Sequence, residues 1–428
     1  MSNSGIEAGD LLPVKKWMKN ASIKAVLNAL AAGGKEARFI GGCVRDELLK
    51  LPVNEVDLAT PERPERVIEL LEKAEIKAIP TGIKYGTVTA VIRNNTYQIT
   101  SLRKAVTTTG RHPIVEFTDD WREDAMRRDF TFNALSATPD GVVYDYLNGI
   151  QDLADRRIKF VGVAEERINE DHLRILRYFR FMATTGFLND DKISHQICID
   201  NAYLLSHLSG ERIREEFFKI LMSENYNDVL EIMVKNGVTR HFLPEAMQTN
   251  LTKNLIRVEN FVSETINIII DPIRRLASLI STDRSNVKAI AQRLKFSNDQ
   301  YKKLKGLLVP QWQAVWNTDD VRLRAGLHRF GAAYIIDLSL QKWARMLADA
   351  PQLPREQTEA WLRIINTANS WSDQTFPIKG QDVVNLGIPE GPKISHILKK
   401  LENWWINGGC TANRITCLKK LRKVSVDE

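Results

Sequence analysis

The sequence predicts an α+β protein, a mixed-sheet head over residues 1–160 followed by helices through the rest of the 428-residue chain. Three observations carry this. Short β-branched runs separated by turn residues crowd the first 160 positions. From about Glu165 onward the apolar spacing is helical almost throughout. Seven of the nine tryptophans lie beyond residue 300, where large rings act as packing anchors between helices.

Taken in order, residues 14–32 read as a helix, with Trp17, Ile23, Val26, Leu27 and Leu30 at helical spacing and Gly33-Gly34 as its end. Arg38–Ile40 reads as a short strand, followed by Gly41-Gly42 and a helix over Val44–Leu49. Val56–Ala59 is a second strand. Pro64 opens a helix where its missing N–H costs nothing. Thr87–Ile92 and Tyr97–Leu102 form a hairpin about Asn94-Asn95. Thr107–Gly110 is a polar loop. Phe130–Ala137 and Val142–Tyr144 read as strands around Pro139-Asp140-Gly141.

Composition limits what such a chain does. Hydrophobic residues at 43% and charged residues at 26% are ordinary for a globular protein. No apolar run approaches the roughly 18 residues of a membrane helix, and MSNSGIEAGD has neither the basic start nor the apolar stretch of a signal peptide. Cys43, Cys198, Cys410 and Cys417 lack CxxC or metal-ligand spacing, so free thiols in a reducing cytoplasm are expected. None of the seven histidines precedes an aspartate, which argues against a His-Asp metal phosphohydrolase. A net charge of +7 suits a polyanionic partner such as RNA, though many basic proteins bind none.

Four constellations carry chemistry. In the first, Gly41-Gly42-Cys43-Val44-Arg45-Asp46 places paired glycines between strand and helix, where the backbone approaches a phosphate closely. Glu55 and Asp57 follow, two apart on a predicted strand and so on one face. Two such carboxylates repel unless a cation lies between them, as a two-metal site requires; otherwise they are a solvated strand end. In the second, Arg127, Arg128, Asp129 and Asn133 suit triphosphate oxygens and a ribose hydroxyl, or a surface salt-bridge patch. The third, Asp145 to Asp152 around Gly149, reads as mainly structural. The fourth runs from Arg167 through Glu170 to Arg180. There Asp171, Arg174 and Arg177 recur on roughly one helical face, offering donors and acceptors to a base edge or forming an intrahelical ladder.

In this order, GGxVRD, carboxylate-x-Asp, RRDFTxNAL, DxxxGxxDL and EDxxRxxR resemble the class II tRNA nucleotidyltransferase family, which includes CCA-adding enzymes and bacterial poly(A) polymerases. Leu208–Ile213 resembles its next motif, and Ile378–Asp382 with Gly391-Pro392 resembles a tail segment of some bacterial members. The resemblance implies a polymerase-β-like nucleotidyltransferase head over 1–160, a helical neck with the nucleotide-selecting motif over 161–222, and an RNA-binding body and tail over 223–428. It implies Mg²⁺, CTP and ATP, and a tRNA 3′ end as acceptor. Position by position, Gly41, Gly42, Arg45 and Asp46 fall on the triphosphate motif and Glu55 and Asp57 on the metal pair. Arg128, Asp129 and Asn133 fall on the ribose motif, and Asp171, Arg174 and Arg177 on the selecting motif. A poly(A) polymerase or a catalytically weakened RNA-binding relative would share the same pattern.

The chain departs from the family at four places. Glu55 replaces the usual aspartate, Gln98 stands where many members have glutamate, Lys159 stands where Arg is frequent, and the loop 103–112 has no acid. Because the family's loop helps the site change from CTP to ATP, its missing acids predict that the A step is slower than the C steps.

Overall fold

In the computed structural model of the chain, the described residues are 6–7, 15–104, 115–188, 191–281, 286–350 and 352–426. They form two compact units, Met1–His207 and Leu208–Glu428. Among them no helix is long and apolar enough to cross a membrane.

The first unit is built on one mixed sheet. Its strands are β1 (Ile6–Glu7), β2 (Arg38–Ile40), β3 (Asp57–Thr60), β4 (Lys77–Gly82), β5 (Thr87–Ile92), β6 (Asn95–Ser101), β7 (Ser136–Ala137) and β8 (Val143–Asp145). Their spatial order is β1-β8-β7-β2-β3-β6-β5-β4, and β3 with β6 is the one parallel pairing among them. β2 and β3 are buried on both faces, with Phe39, Leu58 and Ala59 enclosed, while β5 and β6 bury one face through residues such as Val88, Ala90, Tyr97 and Ile99. The helices of this unit are α1 (Ala21–Ala31), α2 (Gly42–Leu48), α3 (Pro64–Lys73), α4 (Trp121–Met126), α5 (Gly149–Ala154), α6 (Ala164–Glu170), α7 (Leu173–Thr185) and α8 (Lys192–Asp200).

Several expected elements shift, each for a local reason. The first helix begins only at Ala21, where the Asn20 side chain accepts the Ser22 N–H at 2.9 Å. Trp17 precedes it in a turn, donates to Glu47 at 2.8 Å and packs edge-on against Phe39. The hairpin turn is Arg93-Asn94, with Arg93 at φ 54° and Asn95 already paired to Ile92. β4 was not expected because Pro80 breaks the strand pattern; the sheet tolerates it on this edge strand, where the pairing with β5 shifts register between Ile79 and Gly82. The run Phe130–Ala137 is not one strand. The Asp129 side chain accepts the Phe130 N–H and the Asn133 amide, and a 3₁₀ turn over Thr131–Asn133 takes the place of a ladder.

Aromatic packing ties α7 to the segments around Phe130 and Phe160. Phe130 meets Phe160 at 4.7 Å and Phe181 at 5.3 Å between ring centroids. On the other flank the Arg38 guanidinium lies between the rings of Trp121 and Tyr144, at 4.2 and 3.6 Å, and so seats α4. Gly149 is required by its close packing: a Cβ there would stand 2.5 Å from the Thr131 carbonyl oxygen. Asp145 accepts the N–H groups of Leu147, Gly149 and Ile150, and Thr131 donates to Asp152 at 2.7 Å. The third constellation is thus structural, as expected.

The second unit is helical. Its centre is an ionic cluster in which Arg274 meets Glu259 at 2.7 Å and Asp337 at 2.6 Å, and Arg275 meets Glu259 at 2.8 Å. Toward the C-terminus Ile397, Leu401, Trp405, Cys417 and Leu421 form a separate apolar core. Trp343, Trp361 and Trp405 are buried, in keeping with packing anchors.

Candidate active site

The site grows from the turn after β2. Gly41 has φ 68°, which disfavours any side chain, and the Arg128 Nη1 would lie 3.4 Å from a Cβ placed there. The backbone is therefore bare where Arg128 approaches it. Arg45, expected to reach out to a ligand, is instead buried. Its guanidinium binds Asp46 at 2.7 Å and the side-chain oxygen of Asn133 at 2.6 Å, and lies over the Phe181 ring.

β3 begins at Asp57, so Glu55 lies ahead of the strand rather than two places along it. Burial raises the Asp57 carboxyl above its usual range. The Glu55 charge raises it further, and Arg128 opposes both. Two carboxylates that repel in this way fit a divalent cation between them. Among the described residues no group of three or more His, Cys, Asp or Glu forms a closed metal cage. A carboxylate pair suits an ion that keeps ligands from water and phosphate. Gln98 on β6 is in register with Asp57 and exposed.

A polar chain leads from this edge to α7. Asp129 receives the Asn133 amide at 3.0 Å and Arg177 at 2.5 Å, while Asn133 receives Arg45. Asp46, Arg45, Asn133, Asp129 and Arg177 are thereby continuous. Burial works against the Asp129 charge, but Arg177 and the Asn133 hydrogen bond hold its pKa below the usual range. Asp171 is not on α7: it sits in extended backbone just before it and accepts the Leu173 N–H at 3.1 Å. Arg174 reaches Glu170 at 2.6 Å and the Arg127 carbonyl at 3.2 Å, and Arg177 reaches Asp129. Residues 105–112 of the acid-free loop lie outside the described residues. At its flank Lys104 pairs with Glu116 at 2.6 Å.

Sequence reasoning passed over Asp124. It lies three and four residues before Arg127 and Arg128, a spacing that pairs side chains on a helix, and it binds both.

The Poly A polymerase head domain family matches residues 37–159, and the family described as "Probable RNA and SrmB- binding site of polymerase A" matches 192–249. The mitochondrial CCA tRNA nucleotidyltransferase 1 of Mus musculus is 33% identical over 94% of this chain and 90% of its own length. The chain belongs to the CCA tRNA nucleotidyltransferase family. The CCA-adding enzyme of Streptococcus sanguinis, another similar protein, is 34% identical over 91% of this chain and 93% of its own. The fold agrees with that family's. The Bacillus stearothermophilus CCA-adding enzyme solved with CTP superposes with a TM-score of 0.72 at 24% identity, covering 96% of this chain and 98% of that one. The Thermotoga maritima CCA-adding enzyme solved with tRNA gives 0.61 at 19% identity, covering 99% of each.

Proposed function

We propose that the protein adds CMP, CMP and AMP to the 3′ end of tRNA from CTP and ATP, without a nucleic-acid template. The observation that carries this is the continuous chain from Asp46 through Arg45, Asn133 and Asp129 to Arg177, which joins a glycine-lined phosphate cradle to the arginines of α7. A polymerase that reads no template needs its triphosphate site and its base-selecting side chains held as one piece.

Residues 1–160 act as the catalytic head, 161–222 as a neck carrying the selecting residues, and 223–428 as the RNA-holding body and tail. Gly41, Gly42 and Arg128 receive the triphosphate, while Arg45 and Asp46 brace that turn from behind. Asp129 and Asn133 border the ribose. Asp171, Arg174 and Arg177 present hydrogen-bonding groups to the base edge, where a wrong base leaves buried polar groups unpaired. Glu55 and Asp57 would hold Mg²⁺, which when bound supplies charge stabilisation and a more acidic attacking hydroxyl. In the reaction the tRNA 3′ oxygen bonds to the α-phosphorus of the nucleotide and pyrophosphate leaves. The four thiols, all unpaired, suit the cytoplasm as its compartment.

One gel tests the proposal. Purified protein, Mg²⁺ and tRNA lacking its 3′ CCA are incubated with CTP, ATP or both. CTP-dependent addition completed by one AMP is the expected result. ATP-only ladders would make the protein a poly(A) polymerase, and no addition would leave an RNA-binding relative. Single-turnover assays on tRNAs ending before each added nucleotide test whether the A step is the slow one.

A further inference from the structure

The geometry points to Asp124 as the residue that positions the arginines of the nucleotide site, an inference that rests on the reading of that site given above. Asp124 lies on α4, one turn beyond the Asp120 side chain that caps it, and its own side chain is 2% exposed. Its Oδ1 accepts the Arg127 Nε at 2.8 Å and the backbone N–H of Arg103 at 3.1 Å. Its Oδ2 accepts the Arg128 Nε at 3.2 Å and Nη2 at 3.0 Å.

Each of these partners leads to a different part of the site. Arg128 continues to the Asn133 backbone carbonyl at 3.3 Å and to the bare turn at Gly41. The Arg127 carbonyl accepts Arg174 Nη2 at 3.2 Å. Arg103 stands where β6 runs out toward the loop. One carboxylate thus joins the phosphate cradle, the selecting arginine and the loop entrance, while itself facing none of the open surface.

The charges make the arrangement more than a brace. Arg103, Arg127 and Arg128 gather about Asp124, with Arg128 also acting on Asp57, so the arginines outnumber the carboxylates they face. Burial and the neighbouring Arg127 push the Arg103 guanidinium down to about 10, with Asp124 opposing. The Arg103 Nε is buried with no hydrogen-bond partner among the described residues. Such a cluster is stable only while Asp124 holds two guanidiniums in fixed orientation, and an anionic triphosphate completes the balance. Asp124 touches no substrate; it acts through Arg128 and Arg127.

The test combines Asp124→Asn, which keeps the shape and removes the charge, with Asp124→Glu, which keeps the charge and shifts it. CTP affinity is measured by calorimetric titration with Mg²⁺, alongside tRNA affinity and the thermal unfolding midpoint. We expect CTP affinity to fall about tenfold in Asp124→Asn and about threefold in Asp124→Glu, with tRNA affinity within about twofold. In an Arg128→Ala background, Asp124→Asn should cost clearly less than tenfold, about threefold, because the part of its effect that passes through Arg128 is already gone and only the part through Arg127 remains. A folded variant with unchanged CTP affinity overturns the proposal. So does the same fold-loss with and without Arg128, and so does failure of both variants to fold, which would make Asp124 a folding residue. If the unsubstituted protein bound CTP but added nothing to tRNA, the proposed function would fall while this cycle could still hold.

Discussion

Two buried charge clusters in this molecule use the same residue types for opposite ends. In the helical unit Arg274, Glu259 and Asp337 are 2, 0 and 6% exposed, and with Arg275, Lys303 and Asp271 the cations equal the carboxylates. In the head Asp124 and Asp129 are as deeply set, but Arg128, Arg174 and Arg177 remain 18, 14 and 32% exposed, and arginines outnumber acids around Asp124. A cluster whose charges balance has no remaining charge to offer a ligand, even with Lys303 33% exposed at its edge. An unbalanced cluster open on its cationic side holds its carboxylates inward and presents donors outward. Burial of charge alone therefore marks neither function nor stability; the sign left over and the side left open do.

The sharpest way to break this comparison is at the carboxylate pair proposed to hold the metal. Asp57→Ala should reduce nucleotide transfer about a thousandfold or more, equivalent to roughly 4 kcal/mol, in single-turnover assays. tRNA affinity, supplied by Lys and Arg on phosphates, should stay within a few-fold. Retained activity would remove the metal pair from the head. At the balanced cluster the expectation reverses. Glu259→Ala takes the carboxylate from Arg275 and leaves Arg274 with Asp337 alone, and should cost about 3–5 kcal/mol in unfolding experiments. The molecules that remain folded at low temperature should still bind CTP normally, and a specific loss of CTP binding would erase the distinction between the clusters.

Arg174→Ala sharpens the comparison within the head. Discrimination of CTP and ATP against UTP and GTP should fall about tenfold to a hundredfold, measured by single incorporation of each nucleotide. A uniform slowing would place Arg174 with the bracing residues. The smallest effect is expected at the C-terminal basic run. Truncation after Leu418 would strip the buried Leu421 and Val424 from their core, so it cannot isolate charge. Lys419→Ala with Lys423→Ala leaves that core in place and should lower the salt slope of tRNA binding by about one for each phosphate these lysines neutralise. An unchanged slope would make the run a solvated surface.

How much of this was legible in the sequence depended on distance along the chain. The glycine turn, the Asp57 strand and the arginines after Met126 were readable because each motif contains its own geometry. Asp171 and Glu55 were given the right neighbourhood and the wrong element: a capping carboxylate and a strand lead-in look the same as helix and strand in a residue pattern. Arg45 was expected to face the ligand because nothing adjacent announces Asn133, 88 residues on, as its partner. Asp124 was missed for a similar reason. Its pairing with Arg127 and Arg128 is local, but its bond to the Arg103 backbone spans a loop and appears only when β6 and α4 come together. Phe130–Phe132 reads as strand by composition, and only the Asp129 side chain turns it away.

Cys43 gives the head a built-in reporter. Its thiol is buried beneath the Gly41-Gly42 turn, 3.5 Å from the Ile40 carbonyl and 3.8 Å from that of Asp57, and burial pushes its pKa up to about 12. A thiol so placed reacts with an alkylating reagent only when the backbone under the cradle opens. Cys417, enclosed in the C-terminal core, reports in the same way on the other unit. The rate at which each thiol is labelled in the native protein thus measures the opening free energy of its own region. A nucleotide that protects Cys43 but not Cys417 would reveal, without any catalysis, which part of the chain it tightens.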